Sequence, residues 1–109
     1  MGVMSDKIKI LEEFIGNLRM DDIEFIIKDR NLGLYHEETI ASICDLYAGI
    51  TSGTNSIKMS NKSLRISKIF IGNLNYDIIR DIIDKYDMEY SVTTVFIALE
   101  TLYECLETL

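Results

Sequence analysis

Apolar residues recur through most of the chain at intervals of three and four, the spacing of a helix with one buried face. Residues 5–16 place Ile8, Leu11, Phe14 and Ile15 on such a face, with Leu18 just beyond. Residues 62–72 carry a second pattern of the same kind, with Arg65 and Lys68 on its outer side. Gly16 and Gly72 read as the residues that close these helices, where a left-handed backbone costs glycine least. Asp21 and Asp77 read as caps of the next helices, and Glu24 stands three residues after Asp21 in capping-box spacing. Ile23, Ile26 and Ile27 then face inward, as do Ile79, Ile82, Ile83 and Tyr86 later in the chain. A last helix follows Ser91. Its row Val92, Val95, Leu99, Leu102, Leu106 and Leu109 is spaced 3, 4, 3, 4, 3, a heptad seam. Phe96, Ile97 and Tyr103 widen that seam, which puts the helix at the centre of a bundle or against a partner. Lys68–Leu74 and Ser91–Ala98 have a composition that suits strands. The helical spacing on either side assigns them to helices.

The pattern occurs twice. The string FIGNL fills Phe14–Leu18 and again Phe70–Leu74, an offset of 56. Sliding the chain by 56 aligns residues 14–49 with 70–105 without a gap, and 11 of the 36 pairs are identical. Among them are Asp21/Asp77, Ile26/Ile82, Leu46/Leu102 and Tyr47/Tyr103. Repeats of this length indicate stacked units that bury a shared face. The expected fold is all-α: a compact bundle of five or six helices, built from two tandem three-helix repeats with pseudo-two-fold symmetry. Copy one takes residues 1–53 and copy two 54–109. The polar stretch 51–56 joins them, and both pack as one domain because each alone buries too little surface. Ile26, Ile82, Leu46, Leu102, Tyr47 and Tyr103 are the expected core.

Composition narrows the class. The chain has 109 residues, 48% of them apolar, a net charge of −7 and 18 isoleucines, which excludes a disordered tail. It contains no apolar run near the roughly 18–20 residues of a membrane span, and MGVMSDKIKI lacks the pattern of a signal peptide. Cys44 and Cys105 fit no metal spacing, and one histidine, His36, completes no zinc set. Buried free thiols and a cytoplasmic location are expected. Isoleucine is abundant and proline and tryptophan absent, a bias common in AT-rich genomes, those of phages and mobile elements among them. The charge is uneven: residues 46–76 hold Lys58, Lys62, Arg65 and Lys68 and no acid. These four are the candidate contacts for an anion or an acidic partner.

No stretch carries catalytic chemistry. Asp77, Asp81 and Asp84 share one helical face, but Arg80 and Lys85 intersperse and the other face is isoleucine, so the face is solvated. Phosphate-binding glycine loops and calcium loops are missing from the sequence. No cofactor, no metal and no enzymatic activity are therefore expected. Ser91–Leu102 resembles the recognition helix of GntR-type winged-helix regulators, where S-x-x-T-V-x-x-A-L-x-x-L recurs. The resemblance covers twelve residues and implies a helix-turn-helix shape. It departs where DNA would be touched, since Tyr86–Leu109 contains five acids and no Lys or Arg, the wrong sign for phosphate contact.

The leading expectation is a small acidic helical protein–protein interaction module: an adaptor, regulator or inhibitor of a partner protein. A homodimer through the last helix is expected with it, at Phe96, Ile97, Tyr103, Leu106 and Leu109. The alternative is a nucleic-acid-binding transcriptional regulator with a helix-turn-helix-like repeat.

Overall fold

The computed structural model of the chain describes residues 3–52 and 58–109. The expected junction between the copies, at residues 53–54, lies outside the described residues. Six α-helices form among the described residues, and no strand: α1 (Val3–Gly16), α2 (Met20–Asp29), α3 (His36–Thr51), α4 (Asn61–Gly72), α5 (Tyr76–Lys85) and α6 (Val92–Glu107). The expected all-helical bundle is the fold observed. Lys68–Leu74 and Ser91–Ala98, strand-like by composition, are claimed by α4 and α6.

Four helices close a ring: α1 packs on α3, α3 on α4, α4 on α6 and α6 on α1, while α2 covers α3 and α5 covers α6. The body measures 37 × 32 × 18 Å, and its thin dimension accommodates two helices packed 8–10 Å apart. One continuous core fills it. Phe14, Phe70, Leu46, Ile79, Val95 and Leu106 are fully enclosed, with Ile23, Ile26, Ile82, Leu99 and Leu102 beside them. The α3–α4 contact is the most extensive, and small side chains make it so. Ser42, Ser63 and Ser67 are buried there. Ser63 donates to Asp45 Oδ2 at 3.1 Å, and Ser67 reaches the Ser42 carbonyl at 3.5 Å. Among the described residues no buried side-chain nitrogen or oxygen lacks a partner, as a tightly packed polar seam requires.

Local chemistry sets the helix ends. α2 and α5 both stop in a left-handed residue, Asn31 and Asp87, each at φ 52°. Beyond each, the Leu32 N–H reaches the Ile27 carbonyl and the Met88 N–H the Ile83 carbonyl, both at 3.0 Å. These are Schellman closures, each with its apolar pair; Asn and Asp tolerate the left-handed backbone better than other side chains. Ser60, Asn75 and Ser91 cap α4, α5 and α6, accepting from Ser63, Ile78 and Thr94 backbone N–H groups.

Three expectations need correction. Asp21 and Asp77 are not caps: the capping positions lie two residues earlier, at Arg19 and Asn75. Both aspartates lie in the first turn, where a carboxylate suits the helix's positive end. The reciprocal acceptor is Asp22, not Glu24, taking the Arg19 backbone N–H at 2.9 Å. Gly16 and Gly72 do not adopt a left-handed backbone. They are glycines because tyrosine rings lie against them. A Cβ on Gly16 would stand 3.0 Å from Tyr47 Cε1, and one on Gly72 2.9 Å from Tyr103 Cε2. Tyr47 and Tyr103 are accordingly not core. Tyr103 is half-buried and Tyr47 is 37% exposed, their rings lying across the bundle surface.

This contact makes a sharp prediction. Ala is favoured over Gly in a helix by about 1 kcal/mol, but a methyl at Gly72 drives Tyr103 out of place. Gly72→Ala is expected to be about 1 kcal/mol or more less favourable in wild type than in a Tyr103→Ala background, where only the helix-propensity gain remains. Urea unfolding of the four-variant cycle checks this; equal effects in both backgrounds would mean that the ring does not hold the site.

Candidate functional site

The end of α1, the Asn17–Arg19 turn and the facing sides of α2 and α3 enclose an open groove of about 830 Å³. Ile15, Ile23 and Ile43 form its floor, and all three are buried. Leu18 and Ile40 are half-buried walls. Gly16 admits the Tyr47 ring along one side. Met20, the first residue of α2, stands at the mouth with 64% of its surface exposed. The turn is fixed from within: Asn17 Nδ2 donates to the Glu13 carbonyl at 2.7 Å, and the Leu18 N–H to the Ile15 carbonyl at 3.1 Å. Arg19, Asp21 and Glu24 form the polar rim, with Glu24 3.4 Å from His36 Nδ1.

The second half carries a corresponding groove of about 440 Å³ between the end of α4 and α6. Ile71, Gly72, Leu74, Phe96, Leu99, Glu100 and Tyr103 line it, each 56 residues on from a lining residue of the first groove. Two differences narrow it. Where Met20 and Ile40 stand in the first half, the second has Tyr76 and Phe96, whose rings meet tilted at 4.8 Å between centroids. Such a pair is worth about 0.5–1.5 kcal/mol beyond its burial, so the narrowing is held in place. Glu104 and Glu107 extend its edge.

The residues singled out in the sequence disperse. Leu106 is fully enclosed, Phe96 stacks on Tyr76 and Tyr103 lies on Gly72. Within one chain, then, most of the α6 apolar row is core. Ile97 and Leu109 are 45% and 52% exposed. Of the basic residues, Lys58 is exposed ahead of α4. Lys62 turns toward α3 and pairs with Glu38 at 2.6 Å. Arg65 and Lys68 line a shallow groove of about 570 Å³ on the other flank of α4, with Asn61, Asn73 and Tyr103. Cys44 and Cys105 are free but exposed, not buried, because each falls on the outer side of its helix; Cys44 lines the first groove. Among the described residues no group of His, Cys, Asp and Glu is placed to hold a metal ion, and no helix is long and apolar enough to cross a membrane.

An electrostatic cluster centred on one buried carboxylate joins the halves, its lysine side chain 45% exposed. Asp22 is buried on α2. Lys85 Nζ reaches its Oδ1 at 2.6 Å and Asp21 at 3.4 Å, and the Tyr86 hydroxyl donates to its Oδ2. Burial alone pushes the Asp22 carboxyl up, but the bonds from Lys85, Tyr86 and the Arg19 backbone outweigh it and hold it below the usual carboxylate range. Lys85 is held above the ordinary lysine value, first by its bond to Asp22. Tyr86 is pushed up by burial and by that carboxylate.

The open first groove was missed in the sequence. Its signal lay where the two stretches aligned at the 56-residue offset differ: at Met20/Tyr76 and Ile40/Phe96 the later residue is aromatic and the earlier one is not. No family model, curated protein or solved structure matches the chain.

Proposed function

We propose that this chain is a small acidic interaction module of the cytoplasm, an adaptor, regulator or inhibitor with no catalytic role. Its first groove receives an amphipathic helix of a partner protein. The observation that carries this reading is the open apolar groove itself, with Met20 standing exposed at its mouth. Thioether side chains adapt to varied apolar partners, and a helix laid in a groove inserts two or three bulky side chains from one face. The first 45 residues hold ten acids and five bases, so the partner helix carries Lys or Arg beside its apolar anchors. Cys44 supplies the test. With Cys105→Ser, a benzophenone on Cys44 should capture one host protein, and Met20→Glu should abolish the capture. Equal capture from a probe on Cys105, with Cys44→Ser, would overturn the assignment. Retention of duplex DNA at low salt would instead favour a nucleic-acid regulator using Arg65 and Lys68.

We further infer that duplication built the fold and that its halves are related by a pseudo-two-fold rotation. What supports this is agreement at the 56-residue offset in features that need not agree. α2 and α5 share both boundaries, as do α3 and α6. The left-handed residues Asn31 and Asp87 correspond, as do the two glycine–tyrosine contacts. The list of helix contacts is unchanged when the halves are exchanged. Cross-half bonds recur as well: Ser63 to Asp45 at 3.1 Å has its counterpart in Lys7 to Thr101 at 3.0 Å.

A further inference from the structure

Two strips of opposite charge flank the Tyr103–Gly72 contact. On one side Arg65 and Lys68 of α4 line their groove. On the other, Glu100, Glu104 and Glu107 of α6 line the narrowed groove, and the two grooves share Gly72 and Tyr103. Arg65 and the three glutamates are exposed and Lys68 is half-buried. None of the five has an ion-pair partner among the described residues. By contrast Lys62, on the same helix, is matched within the chain by Glu38. The first half has no such strips: the positions that correspond to the glutamates are Cys44, Ala48 and Thr51, and those that correspond to Arg65 and Lys68 are Lys9 and Glu12.

We propose that this face binds a second copy of the chain, with Arg65 and Lys68 of each copy set against Glu100, Glu104 and Glu107 of the other across the two Tyr103 rings. A two-fold axis running along the Tyr103 ridge carries the basic side of one copy over the acidic side of its partner. The same patch then serves both chains, as an isologous dimer requires. A foreign partner would need a matching pair of strips; a second copy has them by construction. Like charges on a lone α6 repel one another within the strip, and the facing cations relieve that repulsion. The half-buried apolar residues Leu64, Ile69 and Phe96 lie in the same two grooves and supply the non-directional part of the contact. The Met20 groove lies in the other half of the chain, so the dimer leaves two copies of it free and makes the module bivalent.

Salt does not separate the outcomes, because it screens both the strip attraction and the repulsion between two chains of net charge −7. Charge reversal does. By sedimentation equilibrium at tens of micromolar, wild type is dimeric. Arg65→Glu with Lys68→Glu weakens the dimer at least tenfold. Glu100→Lys, Glu104→Lys and Glu107→Lys together also weaken it at least tenfold, although that variant is less acidic overall and would associate better if net charge alone decided. Mixing the two variants restores a dimer, as does combining all five changes in one chain. A monomeric wild type, or a glutamate-reversed variant that dimerises as well as wild type, overturns the proposal. Met20→Glu leaves the dimer intact, which keeps this result separate from the fate of the groove assignment.

Discussion

Replacing Phe70 by alanine is expected to destabilise the protein by about 3–5 kcal/mol, the cost of truncating a fully enclosed aromatic ring in a core that relaxes only in part. Phe70 has no exposed surface and lies where α4 joins the ring of helices; Phe14 has the same enclosure on α1. Both are the first residue of the FIGNL string. The two substitutions should therefore cost about the same, each in a single cooperative urea transition with an unchanged slope. Stability of this size is a large fraction of what a domain possesses, so circular dichroism at elevated temperature should find both variants largely unfolded. If Phe14→Ala were mild and Phe70→Ala severe, the two halves would not share the load equally, which would count against the proposed duplication.

The second large effect is expected at Asp22. Its carboxylate accepts from Lys85, Tyr86 and the Arg19 backbone, and hydrogen bonds to a charged group contribute about 1.5–3 kcal/mol each. Asp22→Asn should destabilise by about 2–3 kcal/mol, since an amide keeps an acceptor but loses the charge. The sign with pH follows from the depressed carboxyl. A group whose folded value lies below its unfolded one stabilises above the unfolded value, here 3.8, and loses that contribution as pH falls through the folded value. Wild type should therefore lose stability steeply below about pH 4, and the Asn variant less steeply. Parallel acid limbs would show that Asp22 titrates as it does in the unfolded chain.

Much of this was legible in the sequence, for a physical reason. Spacing reports which face of a helix is buried, and Ile26, Ile82, Leu46 and Leu102 are buried as their spacing requires. The FIGNL repeat located α1 and α4 at once. What spacing does not report is distance across the bundle. Glycine at a helix end has two uses, a left-handed turn or room for a neighbour, and only the facing Tyr47 and Tyr103 decide between them. The cap of α2 was misplaced because Arg19 contributes its backbone there, not its side chain. Ile43 and Tyr47 on α3, and Leu99 and Tyr103 on α6, stand four apart on one apolar stripe, yet the first of each pair is buried and the second is not. Which sides of α3 and α6 their neighbours cover settles that, and no local pattern encodes it. The first groove could be read only as a difference between two similar stretches.

The ring of four helices takes α1 and α3 from one half and α4 and α6 from the other. In a ring closed by two identical chains every residue would appear twice, and any change made to one groove would be made to both. Covalent linkage removes that constraint. A substitution at Met20 leaves Tyr76 alone, and an acid gained on α6 is not forced on α3. The single chain can therefore keep one groove wide and the other narrow, with paired charged strips on one flank only. A symmetric assembly has two equal faces to offer, whereas this one has a front and a back.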